Sequence, residues 1–190
     1  MTGQSQLPNR TIVMTASRSG KLPCPHSPLP MRKSFCFLLL LANISAAYAQ
    51  TPEQWVDWGD RVHGGFGSLI AYGIRIGLDA MQRMDAERRE LAVSYVDGID
   101  SPCPCVLDGI AIALSASVGQ RTLELSPARA PKGTLGVVRI THRKTGAVLT
   151  YELPQSALSQ MERINREHRG TARLSAVMEL NSDLLFRVVP

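Results

Sequence analysis

The residues that most restrict the architecture are TLGVVRITHRKTGAVLTYELP, from Thr134 to Pro154. Val138, Ile140 and His142 alternate with Val137, Arg139 and Thr141, and a period of two puts alternate side chains on opposite faces of a strand. Lys144-Thr145-Gly146 supplies the turn and Val148 to Leu153 the return, so the stretch predicts a β-hairpin. An isolated hairpin is marginal in water and needs more strands or a helix against its apolar face. The rest of the chain must supply that layer.

Helices are predicted on both sides of it. Thr51 can cap, Pro52 suits the first helical position and Glu53 sits in the first turn of a helix whose apolar stripe is Trp55, Trp58 and Val62. Gly64, Gly65 and Gly67 interrupt it. Leu69, Ile70, Tyr72, Gly73, Ile76, Gly77 and Met81 form a second helix, whose small residues allow close approach by a neighbour inside the fold or by a second copy in a homodimer. DAERRE is a charged turn and LAVSYVDG a strand. Val106 to Ala116 reads as a buried helix, RTLELSP as a short strand and APKG as a loop. Pro154 opens a helix through Glu167, and Leu184 to Val188 forms a last strand. The expected fold is α+β, a single domain with a mixed or antiparallel sheet and the hairpin packed against helices.

The chain of 190 residues carries 21 Lys and Arg against 16 Asp and Glu. The excess lies entirely before Gln50, in Arg10, Arg18, Lys21, Arg32 and Lys33, with no Asp or Glu among them. The remainder is balanced, so the basic footprint of a nucleic-acid binder is missing. MRKSFCFLLLLANISAAYAQ accounts for the asymmetry: Arg32 and Lys33 precede an apolar run, Phe35 to Ala42, too short to span a bilayer. Ala47-Tyr48-Ala49 then gives a signal-peptidase pattern with Gln50 as first mature residue. Export to the periplasm or cell exterior is expected, the alternative being an uncleaved N-terminal anchor. Residues 1–30 are Pro- and Ser-rich without periodicity and read as an extension before a start at Met31, residues 31–49 as the signal, and 50–190 as the domain.

Setting the leader aside also removes Cys24 and Cys36, leaving Cys103 and Cys105 in an oxidising compartment. Three readings of CPC are open. The sulfurs could close a small, labile disulfide ring through Pro104. As thiolates they could face one soft metal ion, with His63 or Asp108 completing the shell. Or one cysteine is a packing residue and the other incidental. In a redox role, Cys105 would be the reactive thiol and Cys103 the resolving one.

His63 stands beside the glycine-rich break, where Gly64 and Gly65 let backbone come close to a ligand and leave N–H groups available. The plainer reading is a capping or surface histidine. No Lys-Ser/Thr follows, so the loop is not a P-loop. Asp108 lies in an apolar helix, a costly position unless it is paired, ligated or capping. No Ser-His-Asp or paired-carboxylate set can be assembled, and His142 and His168 read as exposed.

In this order the stretches resemble the FmdE family, which takes its name from formylmethanofuran dehydrogenase. The family opens with H-G-H-x-C-P-G and a small-residue helix ending G-Y-R; HGGFGSLIAYGIR matches it at His63, Gly64, Gly73 and Arg75. Its second motif, C-x-x-D-[AG]-I then T-G-C-T-x-G-K, is matched by Cys105, Asp108, Gly109, Ile110, a hydroxyl at Ser117, and Gly119. The similarity runs over roughly Trp55 to Leu153. It implies a metal ion, often zinc, or a metal-containing cofactor, with His63, Cys103, Cys105 and Asp108 as ligand candidates and Gly64, Gly65 and Ser117 lining the site. The family's second histidine and first-motif cysteine fall on Gly65 and Gly67, its T-G-C-T cysteine on Ala116 and its lysine on Gln120; the added zinc ribbon of some members is absent. Association with a molybdenum or tungsten enzyme is not carried over to an exported single-domain relative. A ligand-free structural member and a thiol-redox protein are the alternatives.

Overall fold

The computed structural model describes residues 50–189; the expected extension and export signal lie outside the described residues. The elements are helices α1 (Pro52–His63) and α2 (Ser68–Met84), strand β1 (Leu91–Gly98), helix α3 (Cys105–Leu114), strands β2 (Leu123–Ala130), β3 (Thr134–His142) and β4 (Val148–Pro154), helices α4 (Ala157–Glu167) and α5 (Gly170–Met178), a 3-10 turn (Ser182–Leu184) and strand β5 (Arg187–Val189). The sheet order is β2-β1-β3-β4-β5, with β1 and β2 parallel and the other neighbours antiparallel. α3 is therefore the crossover of a β-α-β unit, and the fold is the expected α+β domain with a mixed sheet. Among the described residues no helix is long and apolar enough to cross a membrane.

The alternation that predicted the hairpin sets its register. Val138 lies opposite Tyr95 and Tyr151, and Ile140 opposite Val93 and Leu149. Val93, Tyr95, Val138, Ile140, Tyr151 and Leu153 are buried in the core shared with the helices. His142 obeys the same phase and is buried, not exposed as its place beside the turn suggested. Its Nδ1 accepts from the Lys144 backbone N–H at 3.2 Å, so the ring caps the turn from inside. Asp97 is a second buried polar group on β1; its carboxylate accepts from Arg129 on β2 at 2.9 Å and from the Tyr95 hydroxyl at 3.2 Å. Burial first, then the Asp97 charge, pushes the Tyr95 phenol well above its usual range.

α2 is the central helix, its inner face fully buried from Ile70 to Ala80. Its closest partner is α3, and the contact is backbone on backbone. A Cβ on Gly73 would sit 2.0 Å from the Val106 carbonyl oxygen, and one on Gly109 would sit 2.1 Å from that of Ile70. The small-residue stripe that could have met a second copy is thus filled inside the fold.

The helix after the hairpin, the last strand and one further helix differ from the sequence reading, and β2 runs on to Ala130, into the expected loop. Pro154 closes β4 opposite Thr134 rather than opening a helix, a strand-end position where its missing N–H costs no ladder bond, and α4 begins at Ala157. Leu184 belongs to the 3-10 turn, so the last strand starts at Arg187. Helix α5 was not anticipated: it has no side-chain cap, starts on Gly170 at φ +50° and buries only Leu174 and Val177. Packing against α2 and α1 holds it, as for most helices in proteins.

Candidate functional site

α1 is set at its start by a reciprocal cap. The Thr51 hydroxyl accepts from the Gln54 backbone N–H and the Gln54 side chain accepts from that of Thr51 at 2.9 Å. It stops at His63 because Gly64 takes φ +82°, a left-handed conformation that glycine adopts without penalty, and returns its N–H to the Asp60 carbonyl at 2.9 Å. His63 thereby occupies the last helical position and reaches across to α3. Its Nδ1 lies 2.8 Å from Asp108 Oδ2, with both side chains about one-third exposed (33% and 38%). An ionised carboxylate can only accept, so Nδ1 carries the proton and, in the neutral ring, Nε2 is left with its lone pair.

α3 begins at Cys105 behind Pro104, with no side-chain cap on its first N–H groups. Asp108 falls in the first turn, where the helix dipole favours an acid, and three residues after Cys105, on the same side of the helix. It sits at the half-exposed helix start rather than deep in the apolar interior. Cys103 and Cys105 form a disulfide, their Cα atoms 5.3 Å apart. Cys105 is buried at 8% exposure; Cys103 is half-buried at the edge of the core. The Ser101 hydroxyl donates to the Cys103 carbonyl at 2.9 Å. A bond closing so short a loop removes little freedom from the unfolded chain, about 1.6 kcal/mol on the loop-entropy relation against about 3 for a 15-residue loop. As a staple it contributes little.

The glycine loop is fixed from α4 and α5. The Ser68 backbone N–H donates to Asn165 Oδ1 at 2.8 Å, Arg173 Nη1 donates to the Phe66 carbonyl and Nη2 to that of Asn165 at 3.0 Å. Burial, then neighbouring Arg169, draws the Arg173 pKa down. The sequence gives no signal for Arg173 or Asn165, because neither lies in a motif and α5 itself has a weak helical pattern. Gly65 and Gly67 are different from Gly64: neither has positive φ, and a Cβ on either would meet nothing within 4 Å.

The structure brings His63 onto Asp108, three residues into α3 from Cys105, and Gly64 and Gly65 follow His63 directly in the chain. It does not bring Ser117 there. Ser117 follows the far end of α3, about 15 Å along the axis from Cys105, and its hydroxyl accepts from the Gln120 N–H at 3.2 Å. Among the described residues no group of three or more His, Cys, Asp or Glu is placed to hold a metal ion. While the disulfide stands neither sulfur is a thiolate, so the oxidised chain lacks the donor set. The dithiol fits better, since it offers two sulfurs at the start of the helix whose Asp108 holds the His63 ring, and a carboxylate orienting an imidazole is the arrangement typical of metal-binding histidines.

The sequence pattern of the family described as FmdE, Molybdenum formylmethanofuran dehydrogenase operon, matches residues 62–186. The chain belongs to the FmdE family. The match starts one residue before His63 and runs past the hairpin to Phe186, so the FmdE pattern includes α4 and α5, which pin the glycine loop, and not only the two motifs. No curated protein matches the chain significantly.

Proposed function

We propose that this is an exported FmdE-family domain that, with Cys103 and Cys105 reduced, binds one soft divalent metal ion, zinc by family likeness. His63 Nε2 and the two thiolates would be the protein donors, with Asp108 orienting His63 rather than ligating. The observation that carries the reading is the 2.8 Å bond between His63 Nδ1 and Asp108 Oδ2, which leaves Nε2 as the donor on a ring held to the first turn of the helix that Cys105 opens. Three protein ligands leave a fourth position for water or a small molecule, as in open zinc sites. Bound metal would supply Lewis acidity there; the chain's own residues supply orientation and a helix N-terminus that favours thiolate. Export is supported by the basic, apolar and small-residue order of residues 32–49, and an oxidising compartment accords with a disulfide at CPC.

Zinc titration of the full chain, reduced and oxidised, against a chromophoric chelator tests this. One zinc per reduced chain, none on the oxidised chain, and an affinity loss of more than about a hundred-fold in Cys105→Ser are expected. A reduced chain that takes no zinc contradicts the reading.

A further inference from the structure

We propose that the Cys103–Cys105 disulfide is a thiol–disulfide exchange centre, in which Cys103 is the sulfur attacked by an incoming alkyl thiol and Cys105 the sulfur released. The proposal stands whether or not the dithiol takes a metal. It rests on three observations. The bond exists in the folded chain but spans a sequence separation of only two, so it adds little as a staple. The sulfurs differ in access, Cys103 being half-buried at the edge and Cys105 buried. Cys105 is the first residue of a ten-residue helix whose leading N–H groups no side chain caps, and a helix N-terminus stabilises a thiolate.

Access selects the attacked sulfur and thiolate stability selects the leaving one, and here both point the same way. This reverses the roles the sequence suggested, where Cys105 was the reactive thiol. In the first step the substrate thiolate attacks Cys103 Sγ; the new sulfur–sulfur bond forms as the Cys103–Cys105 bond breaks and its electron pair leaves on Cys105. In the second step another substrate thiolate attacks the substrate sulfur of that mixed disulfide, releasing the substrate disulfide and a Cys103 thiolate. Two substrate thiols are oxidised by two electrons in all, the chain's disulfide is reduced to two thiols, and the two thiol protons end on the cysteines or in solvent. Exchange with a more oxidising disulfide runs the cycle backwards.

The test uses the oxidised full-length chain with excess metal chelator. It is exposed to glutathione, quenched with N-ethylmaleimide and mapped by peptide fragmentation. Glutathione on Cys103 and maleimide on Cys105, in a ratio of at least about ten to one, is expected. Adducts divided evenly or concentrated on Cys105 overturn the assignment, and a disulfide that opens no faster than that of oxidised glutathione under the same dithiothreitol overturns the exchange role. In single variants, Cys105→Ser should form its mixed disulfide with oxidised glutathione at least about ten-fold faster than Cys103→Ser; if either fails to fold by circular dichroism, the wild-type map decides. A second arm with a reduced cysteine-bearing unfolded peptide separates the sources: faster reaction than with glutathione assigns protein thiols, slower assigns small ones. Because the chelator is present throughout, failure here leaves the zinc reading intact, and a chain that binds no zinc leaves this one intact.

Discussion

Replacing Gly109 with alanine is expected to lower stability by about 3 kcal/mol or more, a fall of roughly 10 °C in melting temperature for a domain of this size. The added Cβ would stand 2.1 Å from the Ile70 carbonyl oxygen and 2.8 Å from the Ile74 nitrogen. Both are backbone atoms of the central helix, so no rotamer change relieves the clash and α2 and α3 must separate. Separation opens the core around Ile70, Ile74 and Ile110, which are fully buried, and since natural domains are marginally stable this is a large share of the total. Gly73→Ala meets the Val106 oxygen at 2.0 Å and should cost a similar amount. The double variant should cost less than the sum, because one separation accommodates both methyl groups. Gly67→Ala, with open space and an ordinary φ of −89°, is the control and should unfold with the parent. Thermal unfolding by circular dichroism reads all four, and a Gly109→Ala midpoint within a degree or two of the parent would contradict the backbone contact.

The second large effect is a gain. Gly65→His combined with Gly67→Cys is expected to tighten zinc binding by the reduced chain at least about a hundred-fold, since even the orienting partners of zinc ligands are worth about ten- to a hundred-fold. The loop can take both side chains: neither residue has positive φ, and neither added Cβ meets an atom within 4 Å. Both flank Phe66, whose carbonyl Arg173 holds, and follow the turn that ends at His63. With His63 and the two cysteines as the other donors, either new side chain would fill the open fourth position and give a closed site of the structural kind. Competition against a chelator of known affinity measures the gain. Unchanged affinity in a folded double variant would mean that the loop does not face the metal.

Much of this was legible because it depends on local pattern. The hairpin was set by alternation, the start of α1 by Thr51 and Pro52, and the end of α1 by Gly64. The pairing of His63 with Asp108 was not read: both were candidate ligands of one site, and residues 45 apart in sequence carry no local signal of contact. What escaped reading depends on tertiary context. His142 looked exposed beside its turn, yet strand phase buries it. α5 exists through its packing, and with it Arg173 and Asn165 were invisible. CPC allowed thiolate, disulfide or packing alike, since spacing alone does not fix the oxidation state; nor could it show which sulfur lies nearer the surface.

The central claim is that an imidazole on α1 and sulfurs at the head of α3 serve one centre. Cobalt(II) absorption spectra of the reduced chain test it most directly, because cobalt reports thiolate and imidazole donors in a single measurement. Intense tetrahedral bands with thiolate-to-metal charge transfer are expected, the charge transfer diminishing in Cys105→Ser and the ligand-field bands shifting in His63→Ala. A cobalt spectrum that shows thiolate ligation but is identical in His63→Ala, or no thiolate band at all, would contradict the claim.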